Sequence, residues 1–97
     1  MRYIRVSIST EHEDIPNEMY NEITTNFEQV TRMVEVFCDG KVLFDDLKLH
    51  DTVETVFGVN SLIEGNFPDE TQWTFDKSCF YKSITEFEFT SVFSQAV

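Results

Sequence analysis

The chain has 97 residues and a formal net charge of -11 at pH 7, from 18 acidic and 7 basic side chains. This length predicts one domain, residues 1–97, with a modest core that needs neither a disulfide framework nor a structural metal. The charge argues against nucleic acid and anionic membranes as partners and favours a basic protein, although it is also typical of a small protein kept soluble by its charge.

Targeting and redox features are sparse. The chain does not open with the apolar stretch of a signal peptide, and no run approaches the ~18 apolar residues of a membrane span. Cys38 and Cys79 are the two cysteines, enough for one disulfide but not for a framework of them. We therefore expect a cytoplasmic protein with reduced thiols.

The N-terminal third begins with an alternating pattern. Residues 1–9 alternate apolar and polar side chains and predict a half-buried strand. Residues 10–18 are polar, contain a proline and predict an acidic loop. Residues 18–29 fit both a helical spacing and a short strand over 18–24 followed by a turn, and the pattern alone leaves both open.

Residues 30–46 contain the strongest local signal. Asp39-Gly40 separates two arms rich in Val and Phe, which predicts a hairpin with a two-residue type I′ turn. Alternation along the first arm places Val30 on the same face as Arg32. We expect this hairpin to be the central pair of an antiparallel sheet.

The second half is less regular until its end. Residues 52–57 fit a strand or a short helix, residues 58–72 predict a long loop, and residues 73–82 are aromatic without a clear assignment. Ser83 and Glu86 fit a capping box for a helix over about 84–95. Its apolar face would comprise Phe89, Val92, Phe93 and Ala96, although alternation around residues 86–89 also fits a strand.

These elements predict an α+β fold, in which a small antiparallel sheet of four to five strands packs one face against a C-terminal helix.

Catalytic and metal-binding patterns are weak. The segment 11–14, Glu-His-Glu-Asp, has metal-ligand side chains, but adjacent residues rarely reach one ion together. A Cys–His pair would have to combine Cys38 or Cys79 with His12 or His50, and no neighbouring residue activates either thiol. No phosphate loop or hydrolase motif is present. We therefore expect no enzyme activity, no metal and no cofactor.

Acidic clusters beside aromatic residues are the best candidates for a binding surface. Carboxylates there would pair with Lys and Arg of a partner, around a buried aromatic anchor; the alternative is a hydrated surface. The acids of 45–54 rank ahead of those of 11–14. The first group follows a rigid hairpin, which can hold the carboxylates in a fixed array. The second group lies in a loop that is expected to be mobile, so ordering it on binding costs entropy. The candidate residues are Asp45, Asp46, Asp51, Glu54, Asp69, Glu70 and Trp73.

Three motifs in the first half carry a resemblance. They are Tyr-Ile-Arg-Val at 3–6, Pro16 followed by Tyr-x-Glu-Ile at 20–23, and Val-Glu-Val-Phe-x-Asp-Gly at 34–40. In this order and spacing the chain resembles a family of small uncharacterised bacterial proteins, and the agreement covers residues 1–42. The resemblance implies that 18–24 is extended and that a helix ends the chain. It suggests toxin-neutralising immunity proteins, including those of contact-dependent growth inhibition systems.

Charge, size and resemblance together predict an immunity protein that binds a cognate basic toxin domain, of nuclease type, through its acidic surface. The alternative is a phage-type protein that mimics nucleic acid and inhibits a host defence nuclease. A third hypothesis, an enzyme that uses Cys38 or His12, predicts that replacing either residue removes activity without affecting binding.

Overall fold

The computed structural model describes residues 1–27, 29–48 and 78–97; the elements predicted over 49–72 and the aromatic residues 73–77 lie outside these ranges. Neighbouring strands are all antiparallel, in the order β4-β3-β2-β1-β5, and a C-terminal helix packs against the sheet. The α+β prediction is confirmed. The elements are β1 (Arg2–Ile8), β2 (Glu18–Ile23), β3 (Val30–Val36), β4 (Val42–Asp46), β5 (Cys79–Ser83) and α1 (Glu86–Ala96).

The ambiguous segment after residue 18 is a strand. β2 lies in the middle of the sheet and is paired on both sides, with β1 and with β3. Two ladders of backbone hydrogen bonds therefore hold it extended, which outweighs the helical spacing of its side chains. A turn follows, in which the Phe27 N–H donates to the Thr24 carbonyl at 2.9 Å.

The predicted hairpin is confirmed, but two of its details are wrong. It is not the central pair, since β4 is an edge strand; a local turn signal does not specify what pairs with the outer sides of a hairpin. The turn has three loop residues: the Phe37 N–H donates to the Lys41 carbonyl at 2.9 Å, and the Gly40 N–H donates to the Phe37 carbonyl at 3.0 Å. Gly40 has φ +87° and Asp39 does not have a positive φ, so a type I turn with a glycine bulge replaces type I′.

A β-bulge at the start of β3 changes the face that its first residue reaches. Glu22 pairs with Arg32 and Ile23 pairs with Val30, so Thr31 is an additional residue on β3. The Thr31 hydroxyl lies 3.1 Å from the Glu22 carbonyl and 2.7 Å from its carboxylate. The bulge moves Val30 to the face opposite Arg32, which corrects the simple alternation.

The helix packs on one face of the sheet, called here the helix face. Phe89 is completely buried, with 0% exposure, and its ring centroid lies 5.4 Å from that of Tyr3. Phe93 continues the contact to Phe44 on β4 at 5.8 Å. The predicted apolar side of the helix is therefore confirmed, and it crosses the sheet from β1 to β4.

The helix begins two residues later than the capping-box prediction. Its N-cap is Thr85, whose side-chain oxygen accepts a hydrogen bond from the Glu88 N–H at 3.1 Å. Ser83 instead ends β5, where it pairs with Ile4. The Ile84 N–H then donates to the Tyr3 carbonyl, which keeps the chain extended past the residue that the sequence favoured as the cap.

The other face, called here the aliphatic face, carries the main buried cluster. By strand register it also carries three buried polar side chains, Asn21, Glu35 and Asp45. Asn21 donates to the Ile4 carbonyl at 3.2 Å. The cluster comprises Ile4, Val6, Ile23, Val30 and Met33.

Candidate binding surface

Two of the seven candidate residues lie in the described ranges. Asp45 and Asp46 end β4, and consecutive strand positions direct them to opposite faces of the sheet. Asp45 is buried at 8% exposure, and its carboxylate accepts a hydrogen bond from the Asp46 N–H at 2.9 Å. Asp46 is half-buried and pairs in register with Arg32. Asp51, Glu54, Asp69, Glu70 and Trp73 lie outside the described ranges, so the predicted seven-residue surface stays a prediction.

The β1–β2 loop presents a second group of acids at one end of the sheet. Glu11, Glu13 and Asp14 are exposed. Asn17 fixes the base of the loop by donating to the Thr10 carbonyl at 2.8 Å. Further bonds within the loop join its backbone to the side chains of residues 10 and 12. This loop therefore has internal hydrogen bonds that offset part of the ordering entropy expected from its sequence.

The two acidic loops lie side by side. The Cys38 thiol in the β3–β4 turn is 4.0 Å from the Glu11 carbonyl, and exposed Asp39 follows it. The strand order explains this, because the β1–β2 loop and the β3–β4 turn leave the same end of an antiparallel sheet. Four exposed carboxylates thus share one end of the sheet, called here the loop end. They belong to Glu11, Glu13, Asp14 and Asp39.

The helix face contains a row of three polar side chains that the sequence pattern did not predict. They are Tyr3, Glu22 and Arg32, which lie side by side across β1, β2 and β3. Arg32 makes two hydrogen bonds to Glu22, at 3.1 Å from Nε and 2.6 Å from Nη2. Its guanidinium carbon lies 5.1 Å from the ring centroid of Phe89 and 4.9 Å from that of Phe93. The signal in the sequence was Arg32 itself, a charged residue that alternates with Val34 and Val36 on one arm of the hairpin. Its partner, Glu22, could not be predicted because it depends on the register between β2 and β3.

This row sets the charge state of its members. Burial tends to raise the pKa of Glu22, but hydrogen bonds from Arg32 and Thr31 outweigh burial and lower it. The hydrogen bond to Glu22 raises the pKa of Arg32 further, against burial. Tyr3, on the other side of Glu22, has its pKa raised by burial and by the Glu22 charge. Glu22 and Arg32 are therefore a fixed ion pair at neutral pH.

A second ion pair occupies the same face. Arg5 lies 2.9 Å from each carboxylate oxygen of Glu18 through Nε and Nη2, and Ser7 donates to Glu18 at 2.8 Å. Burial works against ionisation of Glu18, but the bonds from Arg5 and Ser7 lower its pKa. Two arginines are thus neutralised by partners within the sheet.

The charge that remains on the described surface is mainly acidic. The exposed basic residues there are Lys41, Lys48 and Lys82. The exposed acidic residues are Glu11, Glu13, Asp14, Asp39, Glu86 and Glu88.

A cleft of about 430 Å³ opens beside the Arg32–Glu22 pair. Within it Arg32 is bonded to Glu22, and the Asp46 carboxylate accepts a hydrogen bond from the backbone N–H of Lys48 at 3.0 Å. Its lining residues are Met1, Glu22, Thr31, Arg32, Asp46, Leu47 and Lys48.

The candidate nucleophiles and metal ligands are dispersed. Cys38 and Cys79 form no disulfide; Cys38 lies at the surface and Cys79 is partly buried. His12 Nδ1 lies 3.9 Å from the Asp14 carboxylate, and His50 lies outside the described residues. Over 1–27, 29–48 and 78–97, no three His, Cys, Asp or Glu side chains are grouped as metal ligands.

The edge strand β4 exposes three consecutive apolar residues. Val42 is 44% exposed, and Leu43 and Phe44 are each 38% exposed. Sequence reasoning missed this feature because it placed the hairpin at the centre of the sheet, where both arms would be covered. The available signal was the polar-free run Val-Leu-Phe itself.

Comparison with protein-family models, curated protein sequences and solved structures finds no match to this chain. The family resemblance of the first 42 residues therefore stays a prediction. Among the described helical residues, no helix has the length and apolar character needed to cross a membrane.

Proposed function

We propose that this chain is an immunity protein, which binds a basic toxin domain of nuclease type and blocks it through an acidic surface. The observation that carries the proposal is the charge imbalance of -11. Among the described residues, six acidic and three basic side chains are exposed, while Arg5 and Arg32 are paired with Glu18 and Glu22 within the sheet.

The chemistry suits a nuclease partner. A nuclease cleft binds phosphate through Lys and Arg side chains. The same side chains donate hydrogen bonds to carboxylates with the same geometry. Exposed acids steer such a partner and set the association rate, whereas desolvated ion pairs at the centre of the interface set the dissociation rate. The four carboxylates at the loop end of the sheet are described residues with this exposed character.

Growth rescue tests the function directly. The chain is co-expressed with the toxin gene that lies beside its own gene in the native genome, and growth is compared with that of cells expressing the toxin alone. Rescue is expected. Failure to rescue would overturn the proposal. Phage genes in place of a toxin gene, together with inhibition of a host defence nuclease, would favour a nucleic-acid mimic instead.

The acidic surface is tested with matched charge changes. Glu11→Gln/Glu13→Gln removes two charges from the loop end, and Glu86→Gln/Glu88→Gln removes two from the helix. We expect the loop variant to lower the association rate with the toxin several-fold at low salt. The difference should shrink steeply as the salt concentration rises past ~0.15 M, where the Debye length is about 8 Å. Equal rates for the two variants at every salt concentration would mean that the loop end is not the steering surface.

A further inference from the structure

Within the described residues, the outer edge of β4 has backbone hydrogen-bonding groups without a partner. The Phe37 N–H donates to the Lys41 carbonyl at the end of the hairpin, and hydrogen-bonded pairs alternate along an antiparallel ladder. With Glu35 opposite Leu43 and Val34 opposite Phe44, the backbone groups of Leu43 point towards β3. Those of Val42 and Phe44 therefore point away from the sheet.

The unpaired part of this edge is short: in the part of the chain that the structure describes, it comprises the outward backbone groups of Val42 and Phe44. Asp46 is the next outward position, and its N–H is already bonded to the Asp45 carboxylate at 2.9 Å. Within the described residues, no hydrogen bond reaches the outward N–H groups of Val42 and Phe44. Natural edge strands are usually protected by a charge, a proline or a cover, and residues 42–44 have neither charge nor proline and are 38–44% exposed.

We propose that the β4 edge is a docking site for an extended, basic segment of the partner protein, which adds a sixth strand by hydrogen bonding to Val42 and Phe44. This inference rests on the proposed basic partner and names how it attaches. The added strand covers Val42 and Phe44 on the helix face and Leu43 on the aliphatic face. Main-chain bonds provide affinity, and alternate side chains provide specificity.

Charge selects this occupant over a second copy of the chain. Each copy carries a formal net charge of -11, and the repulsion between two such chains opposes self-association. Exposed Asp39 precedes the strand and half-buried Asp46 ends it, so Lys or Arg at the two ends of the added segment would meet carboxylates. The expected segment therefore has alternating apolar residues between basic ends.

The test uses a synthetic peptide, acetyl-Lys-Val-Thr-Val-Thr-Val-Lys-amide, with the full-length chain. The control peptide is the same sequence N-methylated at its five interior residues, which keeps the charge and removes the strand donors. Amide hydrogen exchange is followed by NMR. At saturating peptide we expect exchange at Val42 and Phe44 to slow about tenfold or more, with Leu43 unchanged and no effect from the control peptide.

Two variants sharpen the result. Val42→Pro removes an outward N–H without breaking the ladder to β3, and Val42→Thr keeps that N–H and the branched shape. Peptide binding should be lost in the first and kept in the second, with both folded by circular dichroism. If Val42→Pro does not fold, exchange protection in the unmodified chain still decides.

Other outcomes overturn the edge proposal in distinguishable ways. Equal binding of both peptides with shifts confined to residues 11–14 and 39 would indicate electrostatic attachment elsewhere and leave the basic-partner proposal intact. Protection of Val42 and Phe44 without peptide, in a sample that sediments as a dimer, would identify a second copy as the occupant. Binding of neither peptide removes the edge as a docking site, and growth rescue then tests the proposed function by itself.

Discussion

Arg32 and Glu22 are neighbours across β3 and β2, joined by two parallel hydrogen bonds of 3.1 and 2.6 Å. The Glu22 side chain is 10% exposed and that of Arg32 is 28% exposed. The bulge at Thr31 adds a third bond to the same carboxylate, and the helix covers the pair with Phe89 and Phe93. The site where the helix meets the sheet is thus built around an ion pair.

Removing one member of this pair should strongly destabilise the fold. Arg32→Met leaves the Glu22 carboxylate buried without its main partner, and we expect a loss of ~3–5 kcal/mol in the free energy of unfolding. Urea denaturation measures it. Arg32→Lys keeps the charge but loses the two-bonded geometry and the stacking on Phe89 and Phe93, so it should recover only part of the loss.

The double variant Glu22→Leu/Arg32→Met is the control. It removes both charges from the site, so it should be more stable than Arg32→Met alone. If the free-energy losses of the single variants Glu22→Leu and Arg32→Met simply add in the double variant, the two side chains do not act as a coupled pair.

Two buried carboxyls should make stability depend on pH in opposite directions. The pKa of Glu22 is lowered from its ordinary 4.5, so its stabilising contribution is present above that value and is lost as the pH falls through the folded-state pKa. Burial raises the pKa of Glu35, only partly offset by the charge of Lys41. Its contribution is present below 4.5 and is lost as the pH rises through the raised pKa.

The corresponding variants separate these two effects. Glu22→Gln should weaken the loss of stability on acidification, and Glu35→Gln should remove a loss of stability on raising the pH above about 4.5. Urea midpoints measured across acidic to neutral pH provide the comparison. A Glu35→Gln variant whose pH profile parallels that of the unmodified chain would contradict the role given to burial of Glu35.

The helix cap can be assigned by a matched pair of substitutions. Thr85→Ala removes the oxygen that accepts from the Glu88 N–H, and we expect a loss of about 1 kcal/mol. Ser83→Ala, at an exposed position that ends β5, should change stability by less than about 0.5 kcal/mol. The opposite order of effects in thermal or urea denaturation would restore the capping box at Ser83.

The hairpin glycine is required for its backbone conformation alone. Gly40 has φ +87°, and a Cβ built there meets no atom within 4 Å. Gly40→Ala should therefore cost roughly 1–2 kcal/mol through backbone strain and not through a clash. Gly40→Asn should cost less, because Asn tolerates the left-handed region. Equal losses for Ala and Asn in denaturation experiments would point to a cause other than φ.

The sequence by itself determined the first strand, the 30–46 hairpin, the C-terminal helix and its apolar side. These follow from alternation, from a glycine at a turn and from a repeat of 3.6 residues, all of which act within a few residues of the chain. The acidic charge that motivates the proposed partner is likewise a property of composition.

Tertiary structure alone decided which strand lies at the edge, which face Val30 occupies and which acids pair with Arg5 and Arg32. Each depends on register between segments: one bulge at Thr31 reverses the face of Val30, and pairing of β1 with β5 extends the chain past Ser83. Local patterns do not encode these alignments, because the energy that selects them comes from side chains brought together from strands far apart in the sequence.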